Sequence, residues 1–238
     1  MHKAISCLAS LVFISGAFTA AAQEKRTVSF RALCYQHMGD VKYVSLPAPA
    51  AGAPVQVPLP TSGFGTETKG VFEDGMVRFF AENSNPPKVI AEGKLAKSER
   101  QVFLFLPSPD AKMVYRVHAL NDDEASFAMG STRVLNLGAV KIRLNFAGAD
   151  LPPIEPGGMA IYPMVKTADE WGMFTARVDY DNGKGGWTPV SSQSWKSAEE
   201  KRDMVIATVD PKTKRPSIRQ YQDIPPWRVA ALPTGGPK

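Results

Sequence analysis

The stretch FAMGSTRVLNLGAVKIRLNF, residues Phe127–Phe146, decides the fold class of this protein. In its last seven residues, from Val140 to Phe146, apolar and polar side chains alternate strictly. A period of two is typical of a β-strand with one face buried and the other in water. Because a glycine, Gly138, separates this run from the similar run STRVLNL, the stretch predicts a hairpin whose apolar faces build a core.

The same pattern continues along the rest of the chain. The 20 prolines and 19 glycines bound short runs rich in Val, Ile, Phe, Tyr and Thr, which predicts an all-β protein with little helix. The run VFLFL, which starts at Val102, has no polar face and predicts a central strand covered on both sides. Asn182-Gly183 predicts a type I′ hairpin turn, which requires positive φ at both residues.

Two long segments resemble each other at a distance of about 102 residues, from Arg100 to Arg202. Each begins with a charged segment containing Glu and Arg, which is followed by an apolar strand and a turn containing Pro, Asp and Lys. Each then returns on a strand with an internal arginine, Arg116 or Arg219. A repeat near one hundred residues is the size of one β-sandwich domain.

This repeat predicts two tandem immunoglobulin-like β-sandwich domains, at residues 26–125 and 126–224, that arose by internal duplication. The opening stretch would then be the first hairpin of the second domain. Residues 225–238 are rich in proline and glycine, which predicts a flexible tail with Trp227 as a final anchor.

The start of the chain predicts export. A positive charge at Lys3, an apolar run at 4–18 and small residues at 20–22 form the pattern of a signal peptide, residues 1–22, cleaved before Gln23. The apolar run is shorter than the ~20 residues of a membrane span. We therefore expect a periplasmic or secreted protein with no membrane span after cleavage.

The net charge and the cysteine count exclude a nucleic-acid partner and an intramolecular disulfide. The formal net charge of +5 is mild and scattered, whereas a nucleic-acid-binding protein would show a dense basic face, so we expect no nucleic-acid partner. Only Cys34 remains after cleavage, so no intramolecular disulfide is possible. Stability is expected to come from apolar burial.

Two motifs could carry chemistry. Cys34, His37 and Asp40 in CYQHMGD could form a nucleophile or a metal site, but a strand sends Cys34 and His37 to opposite faces. We expect a buried cysteine and a strand-end histidine instead. The carboxylates of NDDEAS, residues 122–124, could bind a hard cation but more often form a solvated turn. We therefore predict no catalytic residue, metal site or cofactor.

The tryptophans suggest a ligand site. All four lie in the second half of the chain, and Trp187 and Trp195 are close in sequence to Asp179 and Asp181. Flat aromatic faces beside carboxylates would suit sugar rings, and these four residues form the candidate ligand-binding set. The tryptophans could instead fill the sandwich core, as one does in immunoglobulin domains, and we expect at least two of the four to do so.

A resemblance to a group of known proteins also predicts an exported protein. GSTRVLNL followed by an alternating strand and a PGG turn, together with RDMVIATVDP, resembles the small, uncharacterised exported β-sandwich proteins of Gram-negative bacteria. The resemblance implies a fold and a location and carries no catalytic residue. The sequence thus favours an exported, non-enzymatic binding or scaffolding protein of the cell envelope, whose partner is an envelope protein or polysaccharide. The alternatives are a carbohydrate-binding module and, third, a hydrolase acting on an envelope polymer.

Overall fold

The computed structural model describes residues 25–47, 53–82, 84–210, 213 and 215–229. Within these ranges the chain forms sixteen β-strands and one four-residue helix, so the prediction of a nearly all-β protein is confirmed. The predicted signal peptide, residues 1–22, and residues 230–238 of the predicted tail lie outside the described residues.

The strands and the helix follow one another as β1 (Lys25–Cys34), β2 (Tyr43–Leu46), β3 (Val55–Pro58), β4 (Thr68–Glu73), β5 (Met76–Phe80), β6 (Val89–Lys94), β7 (Arg100–Pro107), β8 (Tyr115–Asn121), β9 (Thr132–Asn136), β10 (Ile142–Phe146), β11 (Ala149–Asp150), β12 (Met159–Tyr162), β13 (Met173–Asp181), β14 (Trp187–Lys196), β15 (Arg202–Val209), β16 (Pro216–Asp223) and α1 (Pro226–Val229).

The first half, residues 25–125, is built on a closed barrel. Strands β1, β4, β5, β6, β8 and β7 are hydrogen-bonded in that order, and β7 pairs with β1 to complete the ring. The hairpin β2–β3 attaches to the outside of this ring through β5. The prediction of a two-sheet sandwich was therefore wrong here, because alternation along a strand reports a buried face but not whether the sheet closes.

The second half, residues 126–229, contains two four-stranded sheets. One has the order β11-β10-β13-β14 and the other β12-β9-β15-β16. Buried residues of both sheets share one core, which includes Val134 and Val205 from one sheet and Leu144 and Val178 from the other. This half therefore has the two-layer character of a sandwich.

The opening stretch does not form the expected hairpin. Its two strands, β9 and β10, lie in different sheets and face each other across the core. The chain crosses between layers at 137–141 because Asn136 turns inward, donating from Nδ2 to the carbonyl oxygens of Val140 (2.8 Å) and Ile154 (3.0 Å). The apolar faces do build the core, as predicted, but from opposite sides.

The β13–β14 hairpin is present but has a different turn. Asp181 pairs with Trp187, which leaves a five-residue loop. A type I′ turn needs positive φ at both Asn182 and Gly183. Gly183 has φ 69°, but Asn182 is not among the residues with positive φ, so the turn is not type I′. The Asn182 side chain instead accepts hydrogen bonds from backbone N–H groups of its own loop.

The halves share a pairing pattern. In the first half β1 runs parallel to β7, with Arg31 opposite Val102, and in the second β9 runs parallel to β15, with Arg133 opposite Met204. Each partner in the second pair lies 102 positions after its counterpart. β7 and β15 then continue into the antiparallel strands β8 and β16.

This register also corrects the match of Arg116 with Arg219. Leu106 is opposite Arg116, and its counterpart Thr208 is opposite Ser217, so Arg116 is equivalent to Ser217. By the same count His118 is equivalent to Arg219.

Three apolar clusters hold the molecule together. The first fills the barrel and contains a group of phenylalanine rings in mutual contact, among them Phe30, Phe79 and Phe103. The second lies between the two sheets of the second half. The third joins the halves through the outer faces of the equivalent strands, with Leu104 and Ile206 at equivalent positions. β7 is thus covered on both sides, as VFLFL predicted.

The end of the described chain is ordered. Residues 226–229 form α1, and the ring of Trp227 lies 5.0 Å from the guanidinium carbon of Arg31. The expected anchor is therefore confirmed.

Candidate functional site

The two tryptophans of the predicted ligand site have different surroundings. Trp195 is only 5% exposed, and its ring centre lies 5.6 Å from that of Phe146 and 6.4 Å from that of Phe174. Trp187 is partly exposed, and the guanidinium carbon of Arg143 lies 4.7 Å from its ring centre. Trp195 therefore fills the core, and Trp187 keeps contact with solvent.

The two aspartates of the set have structural partners. Asp179 is buried and forms ion pairs with Arg143 Nε (3.1 Å) and Arg177 Nε (3.0 Å). Asp181 lies opposite Trp187 in the hairpin and accepts a hydrogen bond from a backbone N–H of the loop at 2.8 Å. The structure thus brings Trp187 and Asp179 together at Arg143 and places Asp181 opposite Trp187 in the hairpin, whereas Trp195 lies in the core.

Cys34 and His37 are held in structural contacts. Cys34 is fully buried at the end of β1, and burial raises the pKa of its thiol to about 11, so the thiol is protonated at neutral pH. His37 Nε2 lies 2.7 Å from the carbonyl oxygen of Leu59. Across the described ranges, no group of three or more His, Cys, Asp and Glu residues is arranged to hold a metal ion.

The three carboxylates of NDDEAS point to different partners. Asp123 accepts a hydrogen bond from the backbone N–H of Ser126 at 2.8 Å, and Glu124 forms an ion pair with Arg228 at 2.6 Å. Asp122, in contrast, is buried. The expected solvated turn therefore describes only the second and third of these residues.

Asp122 belongs to a four-charge cluster of Arg31, Arg202, Asp122 and Asp223. Arg31 reaches Asp122 at 2.8 Å and Asp223 at 2.6 Å, while Arg202 Nε lies 2.7 Å from Asp223 and its Nη2 contacts Asp122. All four side chains are buried. Their charges cancel and each carboxylate is bound by both guanidinium groups, which offsets the cost of removing four ions from water.

Aromatic rings cover this cluster. The guanidinium carbons of Arg202 and Arg133 lie 4.4 and 4.1 Å from the ring centre of Phe127, and Trp227 covers Arg31. Sequence reasoning missed the cluster. Its only signal was the presence of arginines inside otherwise apolar strands.

Arg133 is the buried cation without a carboxylate contact. It is 1% exposed, and its Nη2 donates to the carbonyl oxygen of Ser126 at 3.2 Å, while Nε and Nη1 have no hydrogen-bond partner in the described structure. Burial, followed by repulsion from Arg202, lowers the pKa of Arg133 to about 10. The side chain is still charged at neutral pH.

A cleft of about 370 Å³ opens where the two halves meet, at the strand ends farthest from the four-charge cluster. We call it the inter-half cleft. It is lined by Tyr35, Gln36, Leu106, Pro107, Arg116, Leu137, Thr208, Val209, Asp210, Ser217 and Arg219.

Strand β14 forms an edge of its sheet. β13 pairs with it on one side, and no described strand pairs with it on the other. Ser192, Gln193 and Ser194 along it are exposed. An edge strand leaves alternate backbone N–H and C=O groups available to a partner chain.

No family model matches the chain, and no curated protein matches it significantly. In the part of the chain that the structure describes, none of the helices has the length and apolar character needed to cross a membrane.

Proposed function

We propose that this is an exported, non-enzymatic binding or scaffolding protein of the cell envelope, and that β14 is its main contact strand. The partner class is an envelope protein that adds an extended segment to this edge. The amino-terminal signal pattern supports export, and the open edge supports binding.

The observation that carries this proposal is the character of β14. It is ten residues long, and its exposed positions 192–194 are uncharged and polar. Natural edge strands are usually short, charged or interrupted, because an open edge invites pairing. Pro189 and the bulge at Val190 interrupt only the beginning of β14, which leaves the stretch from Ser191 to Lys196 able to accept a strand.

The groups that could react support a binding role over a hydrolase. The Cys34 thiol is protonated and buried, His37 contacts a backbone carbonyl, and Asp122 is saturated by two arginines. A nucleophile needs an adjacent base or a lowered pKa, and the raised pKa of Cys34 is the opposite condition.

Site-specific photo-crosslinking in intact cells tests the edge. A photoreactive amino acid at Gln193, on β14, should yield one dominant crosslinked protein. The matched control is Lys69, which is also exposed but lies on β4 in the other half of the chain, where it pairs with Ser29 of β1. Equal crosslinking from both positions, or none from Gln193, would contradict the proposal.

A second proposal concerns the origin of the fold. The matched parallel register of β1–β7 and β9–β15 supports an internal duplication, with domains at 26–125 and 126–224. An immunoglobulin-like arrangement is proposed only for the second half, which has two packed sheets.

Carbohydrate binding is the second candidate function, and the partial exposure of Trp187 favours it. Trp187 lies opposite Asp181 in the hairpin, and Arg143 lies over its ring and forms an ion pair with Asp179. Retention on envelope polysaccharide should be lost in Trp187→Ala and kept in Trp171→Ala, which removes a ring that is 74% exposed. Retention unchanged by Trp187→Ala would exclude this site.

A further inference from the structure

We propose that the inter-half cleft binds a small ligand through a phosphate group held between Arg116 and Arg219. The proposed contact strand β14 is not part of the cleft lining, so this inference is independent of the proposed function. It assigns a ligand class to a site whose two walls come from different halves of the chain.

The cleft has the size and position of a small-molecule site. Its volume of about 370 Å³ lies within the range of roughly 300–1,000 Å³ for such pockets, which are frequent at domain junctions. Leu106 and Thr208, at equivalent positions of β7 and β15, lie on its two sides. The ligand would therefore contact both halves at once.

Arg219 is held in place for this role. Its Nη1 donates to the carbonyl oxygen of Tyr35, and its guanidinium carbon lies 4.1 Å from the centre of the Tyr35 ring. Tyr35 is itself fixed across the junction, because its hydroxyl lies 2.6 Å from Thr208 Oγ1. A fixed guanidinium loses little conformational entropy when it binds an anion.

Arg116 supplies the second positive charge from the opposite wall. It is exposed on β8, and no described carboxylate forms an ion pair with Arg116 or with Arg219. Asp210 also lines the cleft, where its Oδ1 accepts the backbone N–H of Thr213 at 2.8 Å, and the two arginines outnumber this one carboxylate. Two guanidinium groups in one cleft attract an oxyanion.

Strand pairing does not require an arginine at either of these positions. Arg116 is equivalent to Ser217 and Arg219 to His118, so the same register positions are occupied by smaller side chains in the other half. The two arginines line one cleft only because they lie on its opposite walls. Ser217, which also lines the cleft, adds a hydroxyl donor.

Phosphate fits this arrangement better than a neutral group. The planar fork of arginine binds phosphate oxygens in pairs, and hydroxyl donors can satisfy the remaining oxygens. The group could arrive as inorganic phosphate or as part of a phosphomonoester, and the cavity has room for more than the anion alone.

Isothermal titration calorimetry of the mature protein at low salt tests the inference, with inorganic phosphate and glycerol 3-phosphate as probes. Saturable one-to-one binding of either probe is expected. Tighter binding of the ester would identify a phosphorylated small molecule as the ligand, and equal or tighter binding of phosphate would identify the free anion. The absence of saturable binding of both probes would overturn the proposal.

Variants locate the site. Arg116→Gln should weaken binding at least about tenfold, since hydrogen bonds to charged groups contribute about 1.5–3 kcal/mol each. Arg78→Gln is the matched control, because Arg78 is an exposed arginine on β5, outside the cleft. Arg219→Gln should weaken binding as well. If that variant fails to fold, Arg219→Lys keeps the positive charge and tests whether binding needs the planar guanidinium group. Equal weakening by Arg116→Gln and Arg78→Gln, or none by Arg116→Gln, would overturn the assignment.

Discussion

Arg31 and Arg133 occupy equivalent register positions in the two halves and have different partners. Arg31 binds two buried carboxylates, whereas Arg133 is buried against Phe127 with two nitrogen atoms unpaired. The difference arises because the four-charge cluster contains only two aspartates, and Arg31 and Arg202 already satisfy both. The first half therefore contributes Arg31 of β1 to the cluster, and the second half contributes Arg202 of β15 instead of Arg133.

Replacing each of these arginines by methionine should have opposite consequences. Arg31→Met leaves Asp122 and Asp223 to share one cation, and breaking a buried ion pair in this way costs about 3–5 kcal/mol of unfolding free energy. Arg133→Met removes an unpaired buried charge and should leave stability unchanged or raise it. Urea unfolding of both variants measures the difference, and equal destabilisation would show that Arg133 has a stabilising partner.

The barrel has a short junction between β6 and β8. β6 meets β8 through only two parallel pairs, Ala91 with Tyr115 and Glu92 with Arg116. At the next residue, Gly93, an added Cβ would lie 2.0 Å from the carbonyl oxygen of Val117. Only glycine allows the two backbones to approach this closely.

Gly93→Ala should therefore open the barrel at β6–β8. The overlap is with backbone, so a strand must shift, at a cost of at least about 2 kcal/mol. Gly63→Ala is the control, because no atom lies within 4 Å of its Cβ position. Thermal unfolding and hydrogen exchange at β6 and β8 check this, and a Gly93→Ala protein as stable as Gly63→Ala would contradict it.

At the scale of the whole molecule, the two halves are joined by a common core and by the four-charge cluster. Leu104 and Ile206 meet in the apolar cluster between the halves, and Asp122 and Asp223 come from different halves. Because this junction is buried, we expect both halves to unfold in a single transition.

The tryptophans allow a direct test of this expectation, since all four lie in the second half. Phe79→Ala removes a ring from the barrel core of the first half and should cost about 3–5 kcal/mol. If the halves unfold together, tryptophan fluorescence and circular dichroism will shift to the same lower midpoint. A fluorescence transition unchanged from the wild type would show that the second half unfolds independently.

Some features could be predicted from sequence because they depend on local patterns. Strict alternation in β10, the all-apolar β7 and the recurrent prolines and glycines follow from the two-residue period of strands and from turn chemistry. The burial of Cys34 and the anchoring of Trp227 were also predicted. Of the predicted ligand set, Trp187, Asp179 and Asp181 do lie close together.

Which strands pair was decided only in the tertiary structure. Alternation shows that β9 and β10 each bury one face, but it is the same whether they pair in one sheet or face each other across a core. Three other features also depend on contacts between residues far apart in sequence. They are the closure of the barrel, the burial of Trp195 and the ion pair of Arg31 with Asp223. The sequence by itself determined strand character. Long-range packing decided the sheets, the charge cluster and the cleft, because those depend on contacts that no local pattern encodes.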